Sequence, residues 1–477
     1  MKTWLLLILP LALEGQIRAQ VPALPFTSAK DCGVVGDKIT DDTEALNTCI
    51  TNLPDYHVIF FPAGMKIKVT RTINVHKKAG IRLVGFTSMF GGPSASTDAP
   101  AFFWCGADNG TMFDIDRSMN FLIEGLALFS APEYGRGTGG AAIGFNVDNT
   151  LSGGYTTTNG IFDRVAVIDV LKNSKFVGIQ FANVSKTNVE HMTVRDSTVV
   201  CSYGTDYKSE TNPSVGIGIK IGGSYNAKKH LYLNNNISDC SRGVQLLSGS
   251  SDILHNQFQG NVIHVEAYPS DPILINDNDS EHCVQFFRGV MAYGGEISTN
   301  RIAAVSPKSG TGALQFTGGG GAVVVESNKF EGDSYIPVMG QNTIYGAPAL
   351  LSRNNRYPDT AKTLQGFQSF GYNAVSMQDS TTDGFYILLT KGTAQSPRSI
   401  TRFGILSYDD AKQRWIASQN GSPYKGIIPS VGTTDPYTCR RSKGSDDIGN
   451  IWVDTNRSTS VYKVCLSVNG TVQWIAK

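Results

Sequence analysis

The ten residues LYLNNNISDC, Leu231–Cys240, hold a triplet, Asn235-Asn236-Ile237, that returns along the chain. The pattern is an extended segment, then asparagine, one further residue, an apolar side chain and a polar turn. It reappears at Asn256-Gln257-Phe258, Asn276-Asp277-Asn278, Asn300-Arg301-Ile302, Asn328-Lys329-Phe330 and Asn355-Arg356-Tyr357. The first asparagines stand 21, 20, 24, 28 and 27 residues apart, and the third member is irregular because Asn278 occupies the apolar slot. Short β-rich runs lie between the triplets: VGIQFA from Val177, IGIKIG from Ile217, GVQLLSG from Gly243 and AVVVES from Ala322. A period of this length with several short strands per repeat marks a β-solenoid.

The physics of such a repeat is simple. One coil cannot bury its own inward face, so coils stack, with strands pairing ~4.8 Å apart along the axis. Asparagines at equal positions then form a hydrogen-bonded ladder at a tight turn, where they tolerate left-handed backbone. The competing reading is an ordinary sandwich in which Asn-rich turns recur by accident. Helical periodicity is scarce after residue 55, which favours the solenoid. The repeat fades after about Leu364, and residues 365–477 hold Trp415, Trp452 and Trp474 and a last cysteine pair, predicting a separate small β region. Those tryptophans suit a sugar face or an oligomer contact, or simply the core of a small domain. Gly318 to Gly321 reads as a loop and not a phosphate cradle, since no Lys-Ser/Thr follows.

Composition agrees with an all-β chain. Lys plus Arg is 41 and Asp plus Glu is 40, a net charge of +1 that gives no footprint for nucleic acid or an anionic membrane. Glycine is 51 of 477 residues, well above the usual ~7%. The chain opens with MKT and an apolar run, Trp4 to Leu13, broken by Pro10. That is too short to span a bilayer and predicts a signal peptide cleaved before Gln20, hence an extracellular or periplasmic protein. The other reading is a buried N-terminal helix. Eight cysteines follow, and an oxidising compartment would permit disulfides. About a hundred pairings are formally open; proximity in sequence points to Cys32 with Cys49, Cys201 with Cys240 and Cys439 with Cys465. Cys105 and Cys283 fit free buried thiols equally well.

The stretch DCGVVGDKITDDTEAL, Asp31–Leu46, carries five carboxylates. Thr40 or Asp41 is placed to cap a helix whose apolar face is Ala45, Leu46, Cys49 and Ile50. Asp42 and Glu44 would sit in its first turn, where the helix dipole favours negative charge. Such a helix covers the open end of a stack, so the cluster reads as scaffolding, with a metal site the losing alternative.

The same stretch resembles the N-terminal fingerprint of the pectate-lyase-like superfamily, in its rhamnogalacturonase and epimerase-like branch. Asp31, Gly33, Gly36, Asp37, Thr40, Asp41, Asp42, Thr43, Ala45 and Leu46 fit it, while Cys32, Val34 and Lys38 depart from it. VIFFPAGMKIKV, Val58–Val69, looks like the strand and Pro-x-Gly turn that follow. The match is specific over residues 31–85. The resemblance implies a right-handed, single-stranded parallel β-helix with an N-terminal capping helix over residues 20–364, often trimeric, that acts on or binds polysaccharide. It transfers no mechanism, since members hydrolyse, eliminate, epimerise or only bind glycans. The Gly-His-Gly and Arg-Ile-Lys motifs of polygalacturonases and the Asp-Pro-His-Glu motif of alginate epimerases are absent.

Two constellations could carry chemistry. INDNDSEHC, Ile275–Cys283, holds Asp277, Asp279, Glu281 and His282, and strand alternation puts 277, 279 and 281 on one face. Crowded acids need a cation or a shared proton. Glu281 and Asp279 are therefore candidates for an acid/base pair on a glycan, and Asp277 for a calcium ligand beside a uronate. Glu266, His282 and Arg288 could line the same groove. A solvated turn is the plainer explanation.

The second constellation comes from aligning VEHMTVRDS, from Val189, with LYLNNNISDC, which sets Asp196 level with Asp239; FDRVAVIDV, from Phe162, adds Asp169. Carboxylates about 5 to 10 Å apart suit glycoside hydrolysis, and Arg195 beside them could hold an acidic sugar. Aspartates that only cap turns would look the same. The expectation is a glycoside hydrolase needing no cofactor. The rivals are a calcium-dependent lyase of uronic-acid polymers and a non-catalytic adhesive solenoid.

Overall fold

The computed structural model describes residues 25–331 apart from the segments 86–98, 132–139, 183–187, 203–213, 223–227, 269–270, 305–311 and 319–321; beyond 331 it describes chiefly strands and Asn355. The signal-peptide segment, the side chains of the three late tryptophans and the pairing of Cys439 with Cys465 lie outside the described residues.

The chain winds through three parallel sheets, one strand of each per coil. Sheet A has twelve strands, from Phe26–Ser28 to Ala349–Arg353. Sheet B has eleven, from Asp37–Asp41 to Lys329–Glu331, and sheet C ten, from Ile73–His76 to Ile336–Gly340. Each strand pairs with its counterpart one coil before and one after, so every coil lends its inward face to its neighbours. Strands after Arg353 form separate small sheets, mostly antiparallel.

Register explains the core. Strand alternation stacks Ile123, Phe162, Val194, Tyr232, Ile253 and Ile275 in one inward row of sheet A, all fully buried. Leu128, Val167, Val199, Ile237 and Phe258 do the same in sheet B. Burying one such side chain stabilises by roughly 1.5–3 kcal/mol. In sheet C a column of glycines, Gly144, Gly178 and Gly218, lets coils approach closely: a Cβ on Gly178 would lie 2.6 Å from the Gly218 carbonyl oxygen.

The corner between sheets A and B holds the asparagine ladder. Asn235, Asn256, Asn278, Asn300, Asn328 and Asn355 stack in order, each Nδ2 donating to the next Oδ1 at 2.9–3.0 Å. Each Oδ1 also accepts the backbone N–H of the asparagine before it. The third rung is Asn278, not Asn276. The spacings are then 21, 22, 22, 28 and 27 residues, and the irregular member of the sequence repeat becomes regular.

At the N-terminal end the helix is Thr43–Asn52, with Leu46 and Ile50 buried and Ala45 and Cys49 packed against the core. Disulfides join Cys32 to Cys49 and Cys201 to Cys240; Cys105 and Cys283 are free.

Candidate functional site

The N-terminal acids hold turns. Asp42, not Thr40 or Asp41, is the helix N-cap residue, and its buried carboxylate turns back to accept the Val35 and Gly36 N–H groups at 2.7 and 3.1 Å. Asp41 accepts the N–H and hydroxyl of Thr43 and the hydroxyl of Thr70. Asp37 accepts the N–H groups of Ile39 and Thr40, and Glu44 pairs with Arg71 at 3.0 Å. Each of these carboxylates is committed to the backbone or to a neighbouring side chain, so these acids do not converge. Among the described residues no group of three or more His, Cys, Asp or Glu side chains could hold a metal ion.

Asp196 and Asp239 are not level. Asp196 sits at the corner between sheets A and B beside Asn234, whose Nδ2 donates to it at 2.6 Å. Asp239 sits at the corner between sheets B and C, in register with Cys201 and, one coil further back, Asp169. Asp196 is level with Asn234 and not with Asp239, because the two similar-looking segments stack in a different register. Asp169 is buried and accepts from the Ser130 hydroxyl and the Leu171 and Asn173 N–H groups, so it locks a turn. Arg195 belongs to sheet A and donates to the buried Asp163 carboxylate at 2.8 Å. It is therefore not beside Asp239.

Asp239 itself is unusual. Its carboxylate is half-buried, without a hydrogen-bond partner among the described residues, and burial pushes its pKa up to about 6. It lies over Gly260 of the next coil, and the residue in register one coil further on is His282.

Asp279 and Glu281 share the outer face of sheet B, as alternation requires, but Asp277 does not. It is the left-handed turn residue before that strand, and its carboxylate meets His255 Nδ1 at 2.8 Å. Between Asp279 and Glu281 lies the Arg301 guanidinium of the next coil, at 2.9 and 3.2 Å, and it also donates to Glu331 at 2.8 Å. Its hydrogen bonds to Glu281, then to Asp279, hold that guanidinium more firmly protonated still. A bond from Lys329, with Arg301 adding to it, pulls the Glu331 carboxyl below its ordinary value. The crowded acids are thus matched by a cation laid across them.

Glu266 and Arg288 lie on sheet C, not on the face of Asp279 and Glu281. They are level partners in an outer row that runs Gln180, Lys220, Gln245, Glu266, Arg288, Gln315. Glu266 is buried and accepts from Arg242 Nε at 2.8 Å and Gln245 Nε2 at 2.7 Å. Among the described residues neither Lys220 nor Arg288 has an ion-pair partner, and the Arg288 Nε is buried with nothing to donate to. Tyr268 and Tyr293 are exposed.

Arg301, Arg242, Lys220 and Gly260 are absent from the sequence-derived candidates. Arg301 was legible once the ladder was in register: Asn300-Arg301 then falls level with Asn278-Asp279. Lys220, inside IGIKIG, is the one charge in a run otherwise apolar. Nothing local marks Arg242 or Gly260.

Residues 26–91 match the family model for rhamnogalacturonase A/epimerase, pectate lyase-like proteins. A search of curated proteins finds no match. Among solved structures, ORF18 of Geobacillus virus E2 is 16% identical with a TM-score of 0.38, covering 94% of this chain and 86% of its own. DFA-IIIase from Arthrobacter chlorophenolicus A6 is 13% identical with a TM-score of 0.42, covering 73% of this chain and 100% of its own. PfbA, a surface adhesin of Streptococcus pneumoniae, is 13% identical with a TM-score of 0.41, covering 77% of this chain and 98% of its own. With the family signature over residues 26–91 and three parallel sheets winding on from it, the protein has a parallel β-helix fold of the pectate-lyase-like kind.

Proposed function

We propose that the protein is a secreted carbohydrate-active β-helix that lays a polysaccharide along the outer face of sheet C and hydrolyses it with Asp239 as proton donor. The observation that carries this reading is the half-buried Asp239 carboxyl, unpartnered among the described residues, with a pKa pushed up to about 6 by burial. A general acid works best when its pKa lies near the working pH, and burial is the usual means of raising a carboxyl to that range. Glu266, seated between Arg242 and Gln245 on the neighbouring sheet, is the second carboxylate of this reading. Asp279 and Glu281, bridged by Arg301, take no part in it. The family signature supplies the glycan as substrate class. Two disulfides suit an oxidising compartment, and no helix among the described residues is long and apolar enough to cross a membrane.

One observation favours a second reading, a lyase or binder of acidic polysaccharides. Lys220 and Arg288 bracket Gln245 and Glu266 in a single row, and cations without ion-pair partners there suit carboxylated sugars. The test is incubation of the mature protein with a broad panel of neutral and acidic polysaccharides, with calcium and with chelator. New reducing ends without an unsaturated product, lost in Asp239→Asn, support hydrolysis at this site. An unsaturated, ultraviolet-absorbing product selects elimination. Binding without either product rejects catalysis.

A further inference from the structure

The corner between sheets B and C repeats a left-handed backbone position. Asp239, Gly260 and His282 occupy it in three successive coils, with φ values of 57°, 66° and 55°. Their register is set by two backbone bonds: the Asp239 N–H donates to the Gln259 carbonyl at 3.0 Å and the Gly260 N–H to the Glu281 carbonyl at 3.2 Å. A left-handed position usually explains a glycine by itself. Here it does not, because the coils on either side place an aspartate and a histidine in the same conformation.

What distinguishes Gly260 is the space beside it. A Cβ built on Gly260 would lie 2.7 Å from Asp239 Oδ1, closer than real Cβ contacts come. The Asp239 carboxylate rests where the next coil's side chain would begin. We propose that Gly260 is a positioning residue: its missing side chain leaves the recess in which the Asp239 carboxylate is seated, half-buried at the corner between sheets B and C. Any side chain at 260 lifts that carboxylate outward into solvent.

Among the described residues, the charged groups around the recess do not supply an alternative cause for Asp239's raised pKa. Asp169, in register two coils before, is committed to Ser130 and two backbone N–H groups. Arg242 is committed to Glu266, and Glu281 to Arg301. His282 stands in register two coils on, beyond Gly260. Burial is the cause that raises this carboxyl, and Gly260 lies directly against its Oδ1.

This inference rests on Asp239 being the working carboxyl of the proposed function, yet its test needs no substrate. The Asp239 carboxyl carbon is titrated by NMR in the wild-type protein, with Asp239→Asn identifying the signal, and again in Gly260→Asn. Asparagine tolerates left-handed backbone, so the fold should survive, as checked by circular dichroism and thermal unfolding. The expected result is a midpoint near 6 in the wild type that falls by at least one pH unit in Gly260→Asn. Gly260→Ala, which adds a single methyl, should shift it the same way and provides a second variant should the larger side chain prevent folding. If glycan is cleaved, the alkaline limb of its pH profile, where the proton donor is lost, should move with the titration. A midpoint unchanged by either variant, or a wild-type midpoint at the ordinary carboxylate value, overturns the proposal. Failure to turn over any glycan sinks the proposed function and leaves the titration result standing.

Discussion

Asn256 Nδ2 donates to Asn278 Oδ1 across 3.0 Å, and the same oxygen accepts the Asn256 backbone N–H at 2.9 Å. One buried side chain therefore satisfies two donors of the preceding coil and passes its own amide to the next. Asn278→Ala should cost roughly 2–4 kcal/mol, because buried donors lose their acceptor and water cannot reach them. Urea unfolding measures it; a loss under about 1 kcal/mol would show that the ladder is ornamental.

Arg301 spans three carboxylates at a half-exposed site, where ion pairs are individually worth little. Replacing it by alanine should lower stability by only about 1 kcal/mol at low salt. Added salt should recover much of that loss, since screening relieves repulsion among Asp279, Glu281 and Glu331. In the same spirit, Glu281→Gln should leave glycan cleavage within a few-fold of wild type. Asp239→Asn should reduce it about a hundred- to ten-thousand-fold. If Glu281→Gln were the damaging change, the site would have to move to sheet B.

Two core histidines make the fold acid-sensitive. Burial lowers His230 and His264 from the ordinary 6.5 to about 3. Between those values the unfolded chain takes up protons that the folded chain refuses, so stability falls as pH drops from about 6.5 toward 3. Asp239 acts oppositely, since its raised carboxyl binds a proton in the folded state first, below about pH 6. His230 stacks on Phe181, and neither of its ring nitrogens has a hydrogen-bond partner. His230→Phe should therefore flatten the decline of the urea midpoint between pH 7 and pH 4; an unaltered slope counts against a neutral buried imidazole.

The disulfides close loops of 17 and 39 residues, worth about 3 and 4 kcal/mol by loop entropy. Cys32–Cys49 ties the first turn to the capping helix, whereas Cys201–Cys240 staples neighbouring coils beside Asp239. Cys49→Ala should expose the N-terminal end to proteolysis first. Cys240→Ala should instead disturb the Asp239 titration. Limited proteolysis and the NMR titration separate the two effects.

How far the site could be read in advance turns on register. The Asn-x-apolar triplet identified a stacked winding, and alternation correctly put Asp279 and Glu281 on one face. A slip of two residues at Asn276 then set Asp277 level with Arg301, where Asp279 belongs, and so hid the ion pairs that neutralise the acids. A larger slip, of five residues, paired Asp196 with Asp239 across two different corners; the level partner of Asp196 is Asn234. Glu266 and Arg288 are near Asp279 in sequence yet on another sheet, because one short coil visits all three faces.

The sequence by itself determined what periodicity and local chemistry can encode. That comprises a parallel stack of short strands, an amphipathic helix over its end, acids that tie turns, and two cysteine pairs. Tertiary structure alone decided which side chains meet, since contacts in a β-helix run between coils some 20 to 40 residues apart, and the coil lengths differ. The raised Asp239 carboxyl arises only there: its seat is the empty place of a glycine 21 residues along the chain, brought beneath it by the register of the next coil.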